Sequence, residues 1–255
     1  MENKLTTELH KLITRGSSTA VAGFNNEKEV VDKFNSWKTD EDARKWLGIM
    51  GYELEKITDV IAVKINGSHK TDVQVEIKII YDSGKGIENI SIKLVSNKVG
   101  FNQIDKRWVD KYAELWAIPN TIVKNLKLFT GEVIPQYIVG RDRRRIFLDE
   151  LNDIQRNEII NFFETNKIMI VTDLFRCRGS FQASWFLLYQ KSMKVWTLLP
   201  MSVVMNYYGS GEVRITKKGS LKIGKIGMQR KGGDNGRISS TMLQFKIDPC
   251  EIIRI

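Results

Sequence analysis

Two runs of alternating apolar and polar residues, TDVQVEIKII (71–80) and NISIKLVS (89–96), flank the turn-forming string YDSGKG. Period-two alternation rich in Val and Ile predicts strands, and a short glycine-containing turn between two such runs predicts an antiparallel hairpin. An isolated hairpin cannot bury its own apolar face, so the rest of the chain must supply more strands and covering helices. The hairpin also brings an acid, Asp72, toward a lysine, Lys93, on the neighbouring strand.

The flanking sequence supplies those elements. Residues 3–15 and 26–38 have helical spacing, the second with Val30, Val31, Phe34 and Trp37 on one face. DEDARKWLGIMGY (40–52) predicts a helix ended by Gly51, and DVIAVKI (59–65) a strand. Gln103–Trp116, with Ile104, Trp108, Leu115 and Trp116 at helical spacing, predicts a helix; KIMIVTDLF (167–175) predicts a buried strand. DELNDIQRNEIINFFETN (149–166) is an amphipathic helix, WFLLYQ and KVWTLLP form a strand pair, and PMSVVMNYYG is a short helix. From Gly209 the chain is glycine-punctuated hairpin material that ends in LQFKID. There are no repeats and no proline-rich linker. The expected architecture is therefore α/β: one mixed-sheet domain over 1–255, with a helical part at about 1–52, a core at about 53–200 and a β-rich C-terminal part at about 201–255.

Charge and histidine content narrow the chemistry. Forty Lys and Arg against thirty Asp and Glu leave a net charge of +10, which favours a polyanionic partner because each neutralised phosphate releases counterions. The two histidines, His10 and His69, leave no set for a Ser-His-Asp hydrolase or a histidine-ligated metal nuclease. Cys177 and Cys250 are isolated, so neither a disulfide framework nor a structural zinc site is encoded, and a reducing cytoplasm is the expected compartment. No stretch reads as a signal peptide or membrane span.

Metal-assisted phosphodiester hydrolysis needs an acid to carry the metal and a cation to offset the developing charge. An acid on one strand and an acid-x-Lys on the next suit it, because alternate residues share a face. The chain offers two such sets. The literal one is Asp59, sixteen residues, then Glu76-Ile77-Lys78; the degenerate one is Asp72, eighteen residues, then Ser91-Ile92-Lys93. By residue type the first is the better match, and its plain alternative is a solvated strand face.

Longer strings decide between them. KLVSNKVGFNQIDKRW (93–108), FTGEVIPQY (129–137), YGSGEV (208–213), QRKGGDNGR (229–237) and MLQFKIDP (242–249), with GFNNEKEVVDKFNSWK (23–38), resemble the small type II restriction endonucleases of the HinPI type, which cut the palindrome GCGC. This resemblance implies a divergent member of the PD-(D/E)xK nuclease superfamily. The family pairs an Asp with a Gln-x-Lys, and these positions fall on Asp72 and Ser91-Ile92-Lys93, with serine standing where the family has glutamine. The roles so implied are Asp72 and the carbonyl of Ile92 as Mg²⁺ ligands, Lys93 beside the attacking water, Ser91 as a water-mediated helper, and Glu27 reaching the metal through water.

For recognition, the guanine acceptors and cytosine amino donors of GCGC call for Arg, Lys, Asn and Gln. The glycine-rich loop offers Gln229, Arg230, Lys231, Asp234, Asn235 and Arg237; a phosphate clamp is the alternative use of such a loop. The second expected reader runs through Asn97, Lys98, Phe101, Asn102, Gln103 and Lys106, and the resemblance suggests Phe101 as a wedge between base pairs. Arg141, Arg143, Arg144 and Arg145 read as a phosphate-facing or solvated run. The resulting expectation is a Mg²⁺-dependent type II restriction endonuclease acting on double-stranded DNA, with a cognate methyltransferase as its counterpart. A palindromic site has the symmetry of a homodimer, and a monomer nicking one strand at a time is the alternative. The competing functions are a DNA-binding protein of the same fold weakened in catalysis at Ser91, and a structure-specific repair nuclease.

Overall fold

A computed structural model describes residues 25–66, 72–79, 85–96, 100–136, 140–232 and 237–254. The chain divides into two compact units. Residues up to Gly100 join Arg176–Val204 in the first, and Phe101–Phe175 join Met205–Ile255 in the second.

The first unit is a five-stranded mixed sheet with two helices. Helix α1 (25–35) buries Val30 and Phe34, and α2 (Glu41–Ile49) buries Ala43, Trp46 and Leu47. Asp40 caps α2 by accepting the Ala43 N–H at 2.9 Å, and Gly51 ends the segment at φ 94°, a conformation that disfavours side chains. The strands are β1 (Ile57–Lys64), β2 (Val73–Ile79), β3 (Lys85–Val95), β5 (Trp185–Gln190) and β6 (Val195–Pro200), hydrogen-bonded in that order. All pairings are antiparallel except β3 with β5. A parallel pair needs a long crossover, and the intervening chain contains residues 101–175 of the second unit. One sheet face buries Val73, Val75, Ile77, Ile90 and Ile92 against Phe34, Trp37 and Trp46. At the sheet edge, the Asn35 amide accepts the Ala62 N–H at 2.8 Å and donates to its carbonyl at 3.3 Å, so a side chain caps part of the β1 edge.

The second unit holds β4 (Asn102–Arg107), β7 (Val213–Ile215), β8 (Leu221–Ile223), β9 (Ile226–Arg230) and β10 (Leu243–Ile247) in an antiparallel sheet ordered β4-β10-β9-β8-β7. Its buried face carries Leu221, Ile223, Met228, Leu243, Phe245 and Ile247. Helices α3 (Val109–Trp116), α4 (Asn120–Thr130), α5 (Asp153–Thr165) and α6 (Lys167–Arg176) belong to this part of the chain, and α7 (Met201–Gly209) follows β6. An aromatic cluster forms the core. Tyr112 stacks on Trp116 with ring centroids 4.6 Å apart, and Phe245 meets both edge-on at 5.2 and 5.5 Å.

Two segments depart from the sequence expectation. Asn102–Arg107 is a strand, and the helix begins only at Val109, because the segment pairs with β10 from Leu243 to Ile247. The helical spacing of Ile104 and Trp108 is coincidental, and the ladder overrides it. KIMIVTDLF is helix α6, not a strand; a short apolar run has no periodicity that separates a buried helix from a buried strand. The helix expected over 3–15 lies outside the described residues.

Candidate active site

Asp72 stands at the head of β2, held by the ladder on both sides. Its N–H donates to the Ile90 carbonyl at 2.9 Å, and its carbonyl accepts the Ile65 N–H at 3.0 Å. The side chain turns to β3, where Oδ2 accepts the Ile92 N–H at 2.5 Å and the Ser91 hydroxyl lies 3.3 Å away. Lys93 Nζ donates to Ser91 Oγ at 3.3 Å and to the Ile92 carbonyl at 3.1 Å. The serine hydroxyl therefore bridges an ammonium and a carboxylate, and it is 3% exposed. Strand alternation explains the convergence: Ser91 and Lys93 point to one face while Ile90 and Ile92 enter the core on the other. On the neighbouring parallel strand, Phe186 and Leu188 pair with Ser91 and Lys93 and are buried, giving that part of the site an apolar flank.

The donor set fits a hard divalent cation. Carboxylate, carbonyl and hydroxyl oxygens are all present, and Mg²⁺ keeps several waters while using one or two carboxylates plus substrate phosphate. Among the described residues, no group of three or more His, Cys, Asp and Glu side chains is placed to hold a metal ion. Glu27 pairs with Lys64 at 2.6 Å, and Lys64 lies opposite Val73, the residue after Asp72.

The literal set lies elsewhere on the sheet. Asp59 and Lys78 are cross-strand neighbours joined at 3.3 Å, half-exposed, and Glu76 pairs with Lys85 at 3.0 Å. These are surface ion pairs, each contributing ~0–1 kcal/mol. Sequence reasoning missed the polar row that continues the Ser91 face: Gln74 donates to Asn89 Oδ1 at 2.9 Å, and buried Asn89 donates to the Gln182 carbonyl at 3.1 Å. The period-two spacing of residues 89, 91 and 93 is the signal that could have found it.

In the second unit, the strand pairing brings the two expected readers side by side. Lys106, Gln244 and Gln229 form one cross-strand row over β4, β10 and β9, and Gln103 pairs with Lys246. Residues three apart on a strand ordinarily face opposite ways. The register shift between Phe245 and Lys246 leaves Ile104 as the extra residue of a bulge, which brings exposed Gln103 and Lys106 to the same face. Phe101 is 63% exposed just before β4. Asn102 is partly buried, and Arg237 is exposed at the start of the short turn Ile238–Thr241. Lys231 and Gly232 anchor the loop base through N–H bonds to the Met242 and Ser240 carbonyls at 2.8 and 2.9 Å. Buried Gln244, not singled out from sequence, donates to the Arg230 and Lys231 carbonyls at 3.3 and 3.2 Å. Arg230 alternates to the other face, where its Nε donates to the Ser240 carbonyl at 3.1 Å. Asn97, Lys98, Asp234 and Asn235 lie outside the described residues.

The mixed sheet, with Asp72 and Lys93 on neighbouring strands, belongs to the class of restriction-endonuclease-like α/β folds. The fold is similar to the crystal structure of restriction endonuclease MspI in complex with its cognate DNA, with a TM-score of 0.60 and 15% identity over 87% of each chain. Residues 50–253 match the R.HinP1I restriction endonuclease model, and the chain belongs to that family. It is a site-specific, DNA-binding endonuclease of a restriction system. No curated relative matches the sequence. Among the described residues, no helix is long and apolar enough to cross a membrane.

Proposed function

We propose that the chain hydrolyses double-stranded DNA at a short GC-rich palindrome, GCGC, with Mg²⁺ held at Asp72. The observation that carries this reading is the Asp72–Ser91–Lys93 relay, in a chain of this family. The Asp72 carboxylate and the Ile92 carbonyl would hold the ion, with Ser91 and Glu27 acting through water. When bound, Mg²⁺ polarises the phosphate and makes a neighbouring water more acidic. Lys93 orients that water and offsets the negative charge that builds on the phosphate oxygens, a stabilisation strongest where apolar side chains exclude solvent. Ser91 passes a hydrogen bond between Lys93 and Asp72 and so holds both in register.

Gln103, Lys106, Gln229 and Lys231 supply donors to guanine O6 and N7, and Asn97, Lys98, Asn102, Asp234, Asn235 and Arg237 complete the proposed contact set. Phe101 is the wedge. Phe101→Ala is expected to lower cleavage about tenfold to a hundredfold, since unstacking a base step is an effect of a few kcal/mol. The exposed ring should leave thermal stability unchanged. A 2-aminopurine in the site should brighten with wild-type protein and stay dark with the variant; equal brightening removes the wedge role. A methyltransferase protecting the same sequence is the proposed counterpart, and a homodimer is the assembly that a palindrome favours.

Digestion of unmethylated plasmid in Mg²⁺ and in EDTA, with the ends sequenced, tests the reading. Discrete cuts at GCGC in Mg²⁺ alone are expected. Cuts at another fixed sequence discard the specificity, and tight binding without cutting favours a weakened DNA binder, the reading that Ser91 in the glutamine position supports.

A further inference from the structure

The turn at 142–145 gathers arginines faster than it neutralises them. Asp142 and Arg145 close it through a bridge, and the Asp142 carboxylate serves both Arg144, at 3.0 and 3.1 Å, and Arg145, at 3.5 Å. Arg141 is matched separately by Asp149 and Glu150. Arg145 lies over the Phe147 ring at 4.0 Å, and its buried Nε makes no hydrogen bond among the described residues, reaching only the Asp142 carboxylate in a long ion pair at 3.5 Å. Buried donors in folded proteins are almost always well paired, and here one carboxylate is shared between two guanidiniums, which leaves the turn with an excess of positive charge and a donor free to take a better-placed anion. Arg230, turned away from the reading face, is close enough to Arg144 and Arg145 for mutual repulsion. Burial first, and then the neighbouring arginine, hold both Arg145 and Arg230 below their ordinary basicity, an effect that an incoming anion would relieve.

The turn is placed firmly. Gly219, at φ 74°, accepts the Leu148 N–H at 3.0 Å, and a side chain there would run into Phe147, Asp149 and Arg141. The backbone that carries Arg144 and Arg145 is thereby tied to the Gly219 turn through the 147–149 segment that follows it.

We propose that Arg144, Arg145 and Arg230 form a DNA backbone-phosphate site, so that Arg230 anchors the duplex and does not read its bases. This rests on the reading of the chain as a DNA endonuclease. Guanidinium forks match phosphate oxygens bidentately, and phosphate contacts position a protein on the duplex without carrying sequence information.

The test is the salt dependence of duplex binding, measured without divalent metal, for wild type, Arg144→Gln and Arg230→Gln. Two duplexes are used, one with GCGC and one with a single base pair of it changed. Each variant is expected to reduce the slope of log Kd against log salt by about one, and to weaken both duplexes by the same factor. Arg144 is 73% exposed, so its replacement does not threaten folding. Unchanged slopes in the variants, with a salt-dependent wild type, overturn the phosphate site and make the arginines a solvated run. A weakening confined to the GCGC duplex overturns it in favour of base reading. A wild type that binds neither duplex removes the endonuclease reading and this site with it.

Discussion

Lys93→Ala is expected to lower cleavage by about 10²–10⁴-fold, the range for losing a positioned proton-transfer or charge-stabilising group, while duplex binding persists. The ammonium is the cation of the relay, within hydrogen-bond reach of Ser91 and the Ile92 carbonyl, and its removal leaves the Asp72–Ser91 contact intact. Lys78→Ala provides the contrast. That side chain lies in a half-exposed pair with Asp59, and its loss should change neither cleavage nor binding. Single-turnover cleavage and gel-shift titration of both variants settle the matter: full activity in Lys93→Ala with loss in Lys78→Ala would transfer the active site to the literal acid-x-Lys set.

Phe245→Ala is expected to have the largest effect on stability. The ring is fully buried at the centre of the aromatic cluster, on the strand that β4 and β9 both pair with. Truncating such a phenylalanine leaves a cavity and costs ~3–5 kcal/mol, which should lower the melting temperature by roughly 10 °C in a chain of this size. Ile87→Ala, at a position 55% exposed, should shift it by less than the ~0.5 kcal/mol typical of surface changes. The functional consequence follows from the register. β10 holds the 101–106 and 229–232 segments side by side, so the variant should bind duplex more weakly even below its melting temperature. Calorimetry showing no shift would mean that this cluster does not hold the second sheet together.

Much of the hairpin was legible in the sequence, because strand alternation is local: Val73, Val75 and Ile77 on one side and Ser91 and Lys93 on the other follow from period two alone. Choosing Asp72 over Asp59 was not a matter of periodicity. Residue type favoured Glu76-Ile77-Lys78, and the family resemblance of the longer strings pointed to the other set. In the structure Asp72 is joined to Ser91, while Asp59 and Glu76 lie in surface ion pairs. The amide row of Gln74 and Asn89 went unseen, since it depends on which residue of β2 faces which residue of β3.

The sequence by itself determined the α/β character, the cationic surface, the hairpin and the glycine-rich segment, all properties of composition or of residues a few positions apart. Only tertiary pairing decided that Asn102–Arg107 is a strand, that Lys167–Arg176 is a helix, that a bulge at Ile104 aims Gln103 and Lys106 together, and that Arg230 turns from the Gln229 face to the Ser240 carbonyl. Each of these depends on a partner outside the segment itself: β10 for β4, the buried surroundings for α6, and the Ser240 carbonyl for Arg230. Register and burial select among conformations that local propensity leaves nearly equal in free energy.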